Sequence, residues 1–329
     1  MKPEFEHRQA SHCESGVTAI LASESGVGIS EPMAFGLSAA LSFAYIPLIK
    51  LNGLPLIAYR MPPRAILRGV AKALDWRLKI ERFRSPQAGQ ARLDALLAQG
   101  KLVGLQTSVF WLPYFPPDLR FHFNAHNLVV LGQENGRYRI SDPVFEELVE
   151  CEAADLQRAR FARGLLAPKG LLYYADAPAR EPDWNRALAA AMRRTCRIML
   201  NTPLPFIGAR GIHRLARSVE RLDPQNEQAT KSFLAHLVRM QEEIGTGGAG
   251  FRYIYAAFLQ ESAERLGRPV FNELAEALIE IGDHWREFAL VAARMLRGRE
   301  PMMPRRLAGL LDGQAEQEKQ FFARLQRAI

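Results

Sequence analysis

The chain has 329 residues, 48% of them hydrophobic and 24% charged, a length and balance that suit a protein burying two cores of ordinary size. It contains no uninterrupted apolar run long enough for a membrane-spanning helix, and MKPEFEHRQASHC lacks the apolar stretch of a secretory signal. The formal net charge of +8 comes from arginines scattered over many segments. That is not the basic stripe with interleaved aromatics that nucleic-acid binding uses, and it suits an acidic protein partner or a phosphate-bearing substrate.

Along the chain, Val17, Ile20 and Leu21 follow Cys13 at helical spacing, so a helix opens at or just before the cysteine. Ser30-Glu31-Pro32 reads as a second helix start, with Ser30 as cap and proline in the first turn. SFAYIPLIKLNGLPLIAY holds two apolar runs around Asn52-Gly53 and reads as a hairpin. Residues 63–76 and 88–98 read as amphipathic helices. LVGLQTSVF, LVVLG, YRISD and LLYY read as strands, with a helix over AADLQRARFAR before the last, and WLPYFPP (111–117) reads as a rigid aromatic loop. ADAPAREPD (175–183) breaks the pattern with prolines and charges. Beyond it the period is almost entirely helical, apart from the glycine-rich turn IGTGGAGFR (244–252). The expected fold is α+β, with a catalytic domain over 1–176 followed by an all-α domain over 177–329.

The three cysteines, at 13, 151 and 196, are odd in number and widely spaced. They suit neither a disulfide framework nor a zinc site, and no histidines or carboxylates have metal-ligand spacing; the expectation is a cytoplasmic protein with free thiols and no metal. A cysteine attacks as its thiolate, which an ordinary pKa of about 8.5 leaves scarce at neutral pH. The positive end of a helix and a neighbouring imidazole both lower that value, and Cys13 has the first by position. Among seven histidines, His126 opens the strand HNLVVLG, and Asp142 ends the next strand, RYRISD. A two-residue turn at Asn135-Gly136 would put their side chains on opposite faces. A three-residue loop, Glu134-Asn135-Gly136, pairs Leu128 with Asp142 and brings His126 onto the same face, one diagonal away; this loop is the one expected. Cys13, His126 and Asp142 then form a nucleophile, a base and an orienting group. The backbone N–H of Cys13 is a natural oxyanion donor.

HCESG, GISEPMAFGL, the strand leading to LPY, HNLVVLG and SDP, in that order, resemble the butirosin biosynthesis protein H family, whose N-terminal domain is similar to papain-like and C39-like cysteine enzymes. The helical half resembles the domain that accompanies it, through IGTGGAGFRYIYAAFL and the later DHW. The resemblance implies an acyltransferase with Cys13 as nucleophile, His126 as base and Asp142 as orienting residue. An acyl group on a phosphopantetheine thioester, carried by acyl carrier protein or coenzyme A, would pass through the cysteine to an amine, with no bound cofactor. Gln106 and Ser108 stand where the family pattern leads one to expect an acidic residue. Four residues are candidates for binding substrate: Glu31 to hold a cationic amine, Trp111 and Tyr114 to wall a pocket, and Arg252 with the glycine-rich turn to meet a phosphopantetheine arm. The alternatives are a peptidase or amidase of the same fold, with water replacing the amine, and a non-catalytic module that binds a carrier protein.

Overall fold

A computed structural model describes residues 5–51 and 53–329. In chain order the first elements are α1 (Cys13–Glu24), α2 (Glu31–Leu37), β1 (Leu41–Leu51), β2 (Leu54–Arg60), α3 (Ala65–Ala73), β3 (Leu78–Glu81), α4 (Pro86–Ala98) and β4 (Val103–Thr107). They are followed by β5 (His126–Glu134), β6 (Arg137–Ser141), β7 (Val149–Glu152), α5 (Ala153–Arg160) and β8 (Leu172–Ala175). The remaining chain is helical: α6 (Trp184–Cys196), α7 (Gly208–Glu220), α8 (Glu227–Glu242), α9 (Arg252–Leu266), α10 (Val270–Leu296) and α11 (Pro304–Ala328). The fold is therefore mixed α and β with a sheet core and a helical C-terminal part. No helix among the described residues is long and apolar enough to cross a membrane.

The chain divides into two units, one of residues 1–34 with 66–182 and the other of 35–65 with 183–329. This differs from a single cut at 176/177. The hairpin of β1 and β2 lies in the helical unit, which is neither contiguous nor all-α. Asn52, placed at the hairpin's turn by the sequence, lies outside the described residues.

The first unit is built on a six-stranded antiparallel sheet in the order β3-β8-β4-β5-β6-β7. The first five residues of β5 are buried, because both faces are covered. Leu128 and Val130 join Leu93, Leu96, Val109, Leu112 and Phe115 in the core on one face, and α1 packs against the same strand. The alternation of strand side chains thus gives the His126 end of β5 two different buried environments.

The connection from β5 to β6 is not the expected three-residue loop. Glu134 pairs with Arg137 across a two-residue turn, Asn135-Gly136, whose φ values of 50° and 81° are the left-handed pair that an Asn-Gly turn of type I′ needs. The register then slips by one between Val130 and Gly132, where Leu131 is an extra residue. Beyond that bulge Val129 pairs with Ser141, so one further step sets Leu128 opposite Asp142. The bulge does what the extra loop residue had been expected to do.

In the second unit the hairpin carries Phe43 and Tyr59 against Trp285 of α10, with ring centroids 6.1 Å and 5.5 Å away. Arg252, at the start of α9, is fully buried beside Glu318 of α11, the closest N–O approach being 2.8 Å.

Candidate active site

His12 caps α1, its Nδ1 accepting the Ser15 N–H at 3.3 Å, and Cys13 is the first residue of the helix. The positive end of the helix dipole therefore lies at the thiol. Two devices hold this end of α1. The carboxylate of Glu31 accepts the N–H groups of Ser11 and His12 at 2.9 and 2.7 Å and the Ser15 hydroxyl at 3.0 Å. The second is Gly16, where an added Cβ would lie 2.5 Å from the Ala10 side chain and 3.1 Å from Pro143. The missing side chain lets the helix approach the segment that follows β6. That segment in turn binds the irregular stretch ahead of α1: Ala10 N–H donates to Pro143 C=O at 2.8 Å, and His7 bonds Ser141 Oγ at 2.8 Å and Phe145 C=O at 2.9 Å.

Asp142 is fully buried and both its oxygens are engaged. Oδ2 accepts His126 Nε2–H at 2.7 Å and the Tyr114 hydroxyl at 2.9 Å, and Oδ1 accepts Val144 N–H at 3.1 Å. With Nε2 committed to the carboxylate, the other ring nitrogen is left for Cys13, which also hydrogen-bonds the imidazole. Burial opposes charge on His126, but Asp142 and Cys13 outweigh it and push the imidazole up to about 10. The ring is packed edge-on against Phe115, with centroids 5.5 Å apart. Structure thus brings together Cys13, His126 and Asp142, residues drawn from a helix start and two paired strands.

Of the four residues expected to bind substrate, Glu31, Tyr114 and Arg252 are engaged inside the fold. Both oxygens of Glu31 are engaged at the entry to α1, so it braces the start of that helix and is not free to hold an amine. Burial pushes its carboxyl above the usual range, against the Ser11, His12 and Ser15 donors. Tyr114 belongs to the Asp142 hydrogen-bond group and does not wall a pocket through its hydroxyl; burial and the neighbouring Asp142 raise it well above an ordinary phenol. Trp111 is partly exposed, edge-on to Phe110 at 5.0 Å and 5.9 Å from the Arg158 guanidinium. Arg252 is sealed in the helical unit, fork-to-fork with Glu318 and stacked near Tyr59 and Trp285. The glycine-rich turn before it already holds an anion, because Ala249 N–H donates to both oxygens of Glu242 at 3.2 and 3.3 Å. A phosphate would have to displace that carboxylate. Gln106 is also engaged internally, donating to Asn124 C=O and Leu166 C=O at 2.8 and 3.0 Å.

Two residues beside the thiol went unnoticed in the sequence. Asn127 Nδ2 lies 3.8 Å from Cys13 Sγ, and Asn127 Oδ1 accepts the Tyr173 hydroxyl at 2.9 Å. Strand alternation offered the signal: the residue after His126 faces the side of the sheet on which α1 packs. Among the described residues no group of three His, Cys, Asp or Glu side chains is placed to hold a metal ion.

Residues 12–143 match the family model described as butirosin biosynthesis protein H, N-terminal, and residues 154–325 match the one described as Domain of unknown function (DUF4872). No curated protein matches the chain. Among solved structures, a crystal structure described as a C39-like peptidase from Bacillus anthracis is 12% identical, with a TM-score of 0.38 over 54% of this chain and 96% of that one.

Proposed function

On the premise that the chain belongs to the family described as Domain of unknown function (DUF4872) and carries a butirosin biosynthesis protein H N-terminal region, we propose that it is a cysteine-dependent N-acyltransferase. The observation that carries the reading is the buried run from Asp142 through His126 to Cys13 at the start of α1. In the first half-reaction the Cys13 thiolate attacks the carbonyl of an acyl thioester. The carbon–sulfur bond of the donor breaks, and the departing thiolate takes the proton held on His126. Acylation removes the negative charge of Cys13, one of the influences that keeps His126 protonated, so the ring becomes a base. It then takes a proton from an incoming amine as the amine attacks the acyl-cysteine, and Cys13 leaves as thiolate with an amide formed. Asp142, fixed by Tyr114 and Val144, keeps the imidazole in one tautomer throughout.

The donor in this reading is a phosphopantetheine thioester on acyl carrier protein or coenzyme A, drawn by the net positive charge. The setting is the reducing cytoplasm, where the three cysteines stay free. Intact mass spectrometry of the full chain with model acyl thioesters tests it. Wild type gains one acyl mass that an added amine discharges faster than water does, and Cys13→Ala gains none. Discharge to water regardless of amine would make the enzyme a hydrolase. Absence of any adduct in wild type would sink catalysis altogether, and an adduct on Cys13→Ala would move the nucleophile elsewhere.

A further inference from the structure

We infer that Asn127 is a further catalytic residue, donating its side-chain N–H to the Cys13 sulfur to hold it as thiolate, with Tyr173 as the positioning residue behind it. This rests on the reading of Cys13 as the nucleophile.

The orientation of the amide follows from its neighbours. Ala125 C=O can only accept, and it lies 3.0 Å from Asn127 Nδ2, so the NH2 end is the one beside the thiol. One hydrogen of that group serves Ala125 and the second points to Sγ at 3.8 Å. At the other end Oδ1 accepts the Tyr173 hydroxyl. Tyr173 is itself fixed by a glycine. It pairs with Gly104 across β8 and β4, and a Cβ at Gly104 would sit 2.1 Å from its ring. The ring lies in the space that this glycine leaves, which directs the hydroxyl to Asn127. Both Asn127 and Tyr173 are buried, so the pair works away from bulk water, where a hydrogen bond to an ion is worth most.

Titratable groups approach the sulfur from several elements. His126 of β5 faces it, backed by Asp142, and the His12 cap and Glu31 stand at the helix entry. The side chain of Glu14, the next residue of α1, is buried and accepts Ile66 N–H at 3.1 Å and Leu67 N–H at 3.4 Å. Tyr173 feels both Glu14 and Cys13 as negative neighbours. The Asn127 N–H adds a hydrogen bond to the thiolate without adding a titrating group.

Alkylation of Cys13 by iodoacetamide, followed by mass spectrometry across pH about 5 to 10, reads the thiolate directly and needs no acyl donor. Wild type should titrate well below the ordinary thiol value of about 8.5. Asn127→Leu should raise the midpoint by about one pH unit, so that alkylation is about tenfold slower below it and equal to wild type on the alkaline plateau. Asn127→Gln should recover part of the shift. Tyr173→Phe, which removes one oxygen atom and keeps the ring over Gly104, should move the midpoint the same way by a smaller amount; it decides the question if Asn127→Leu does not fold. A wild-type midpoint near 8.5, or Asn127→Leu and Tyr173→Phe profiles that overlay wild type, would overturn the inference. A wild type with a low midpoint that accepts no acyl group from any thioester would overturn the transferase reading and leave this one standing.

Discussion

Cys151 and Cys196 are buried thiols, and burial pushes each of them up to about 12. Cys13 is set apart by a helix start, an imidazole and an amide N–H, each of which favours the thiolate. The same surroundings fix a pH dependence. His126 is raised from about 6.5 to about 10, so the stability gained by holding it charged beside Asp142 is fully present below about 6.5 and is lost as pH rises through about 10. The melting temperature of wild type, measured against His126→Gln, should therefore show its largest advantage near pH 6 and a shrinking one toward pH 10. An advantage that grows with pH would show that the imidazole is neutral in the folded protein. At this scale the sequence was legible for the proximity of Cys13, His126 and Asp142, because a cysteine at a helix start and a histidine at a strand start are local patterns. Glu31 and Tyr114 were read less well. Their partners lie 20 and 28 residues away in the chain, at Ser11 and Asp142, and nothing in local spacing indicates such a bond.

Among the elements, β5 and β6 position His126 and Asp142, and their register depends on one residue. Asn-Gly is a strong signal for a two-residue turn, and the turn formed is that one. By itself it would place Asp142 on the face opposite His126, since a slip of one residue reverses every side chain. Leu131, left over between the pairs of Val130 and Gly132, restores the alignment. A bulge has no short-range sequence signature comparable to Asn-Gly, so the register was readable while the means of reaching it was not. Deleting Leu131 should close the bulge and keep the same turn, with Val130 still opposite Ile140 and Val129 opposite Ser141, so that His126 and Asp142 stay on one face. We expect a folded protein by circular dichroism that forms acyl-Cys13 at close to the wild-type rate. A loss of about 10² to 10⁴ in that rate, the range general acid–base groups contribute, would show that the extra residue itself, and not the register on either side of it, sets the pairing of the two side chains.

In the whole molecule, an α+β part followed by helices was evident from the change of period near ADAPAREPD. The assignment of residues 35–65 to the helical unit was not. A strand pair reads the same wherever it docks, and the partners of Phe43 and Tyr59 lie some two hundred residues downstream at Trp285. Arg252 belongs to the same core. Its guanidinium and Glu318 are both fully buried, and Trp285 Nε1–H also donates to Glu318 at 2.7 Å. Arg252→Ala leaves that carboxylate without its counter-ion and should cost about 3 to 5 kcal/mol in urea denaturation. Arg252→Met with Glu318→Leu should recover much of the loss. A cost below about 1 kcal/mol for the single change would mean the pair is dispensable.

The excursion of residues 35–65 also has a bearing on how the chain is made. During synthesis the ribosome delivers β1 and β2 early, while α10 and α11 emerge more than two hundred residues later. Until then the hairpin has an unpaired apolar face, Phe43 and Tyr59 included, and a strand edge open to other nascent chains. A chain halted after residue 182 would keep every element of the first unit yet carry this uncovered hairpin between α2 and α3. Such a fragment is expected to require a chaperone, or a short linker in place of residues 35–65, before it can be handled alone.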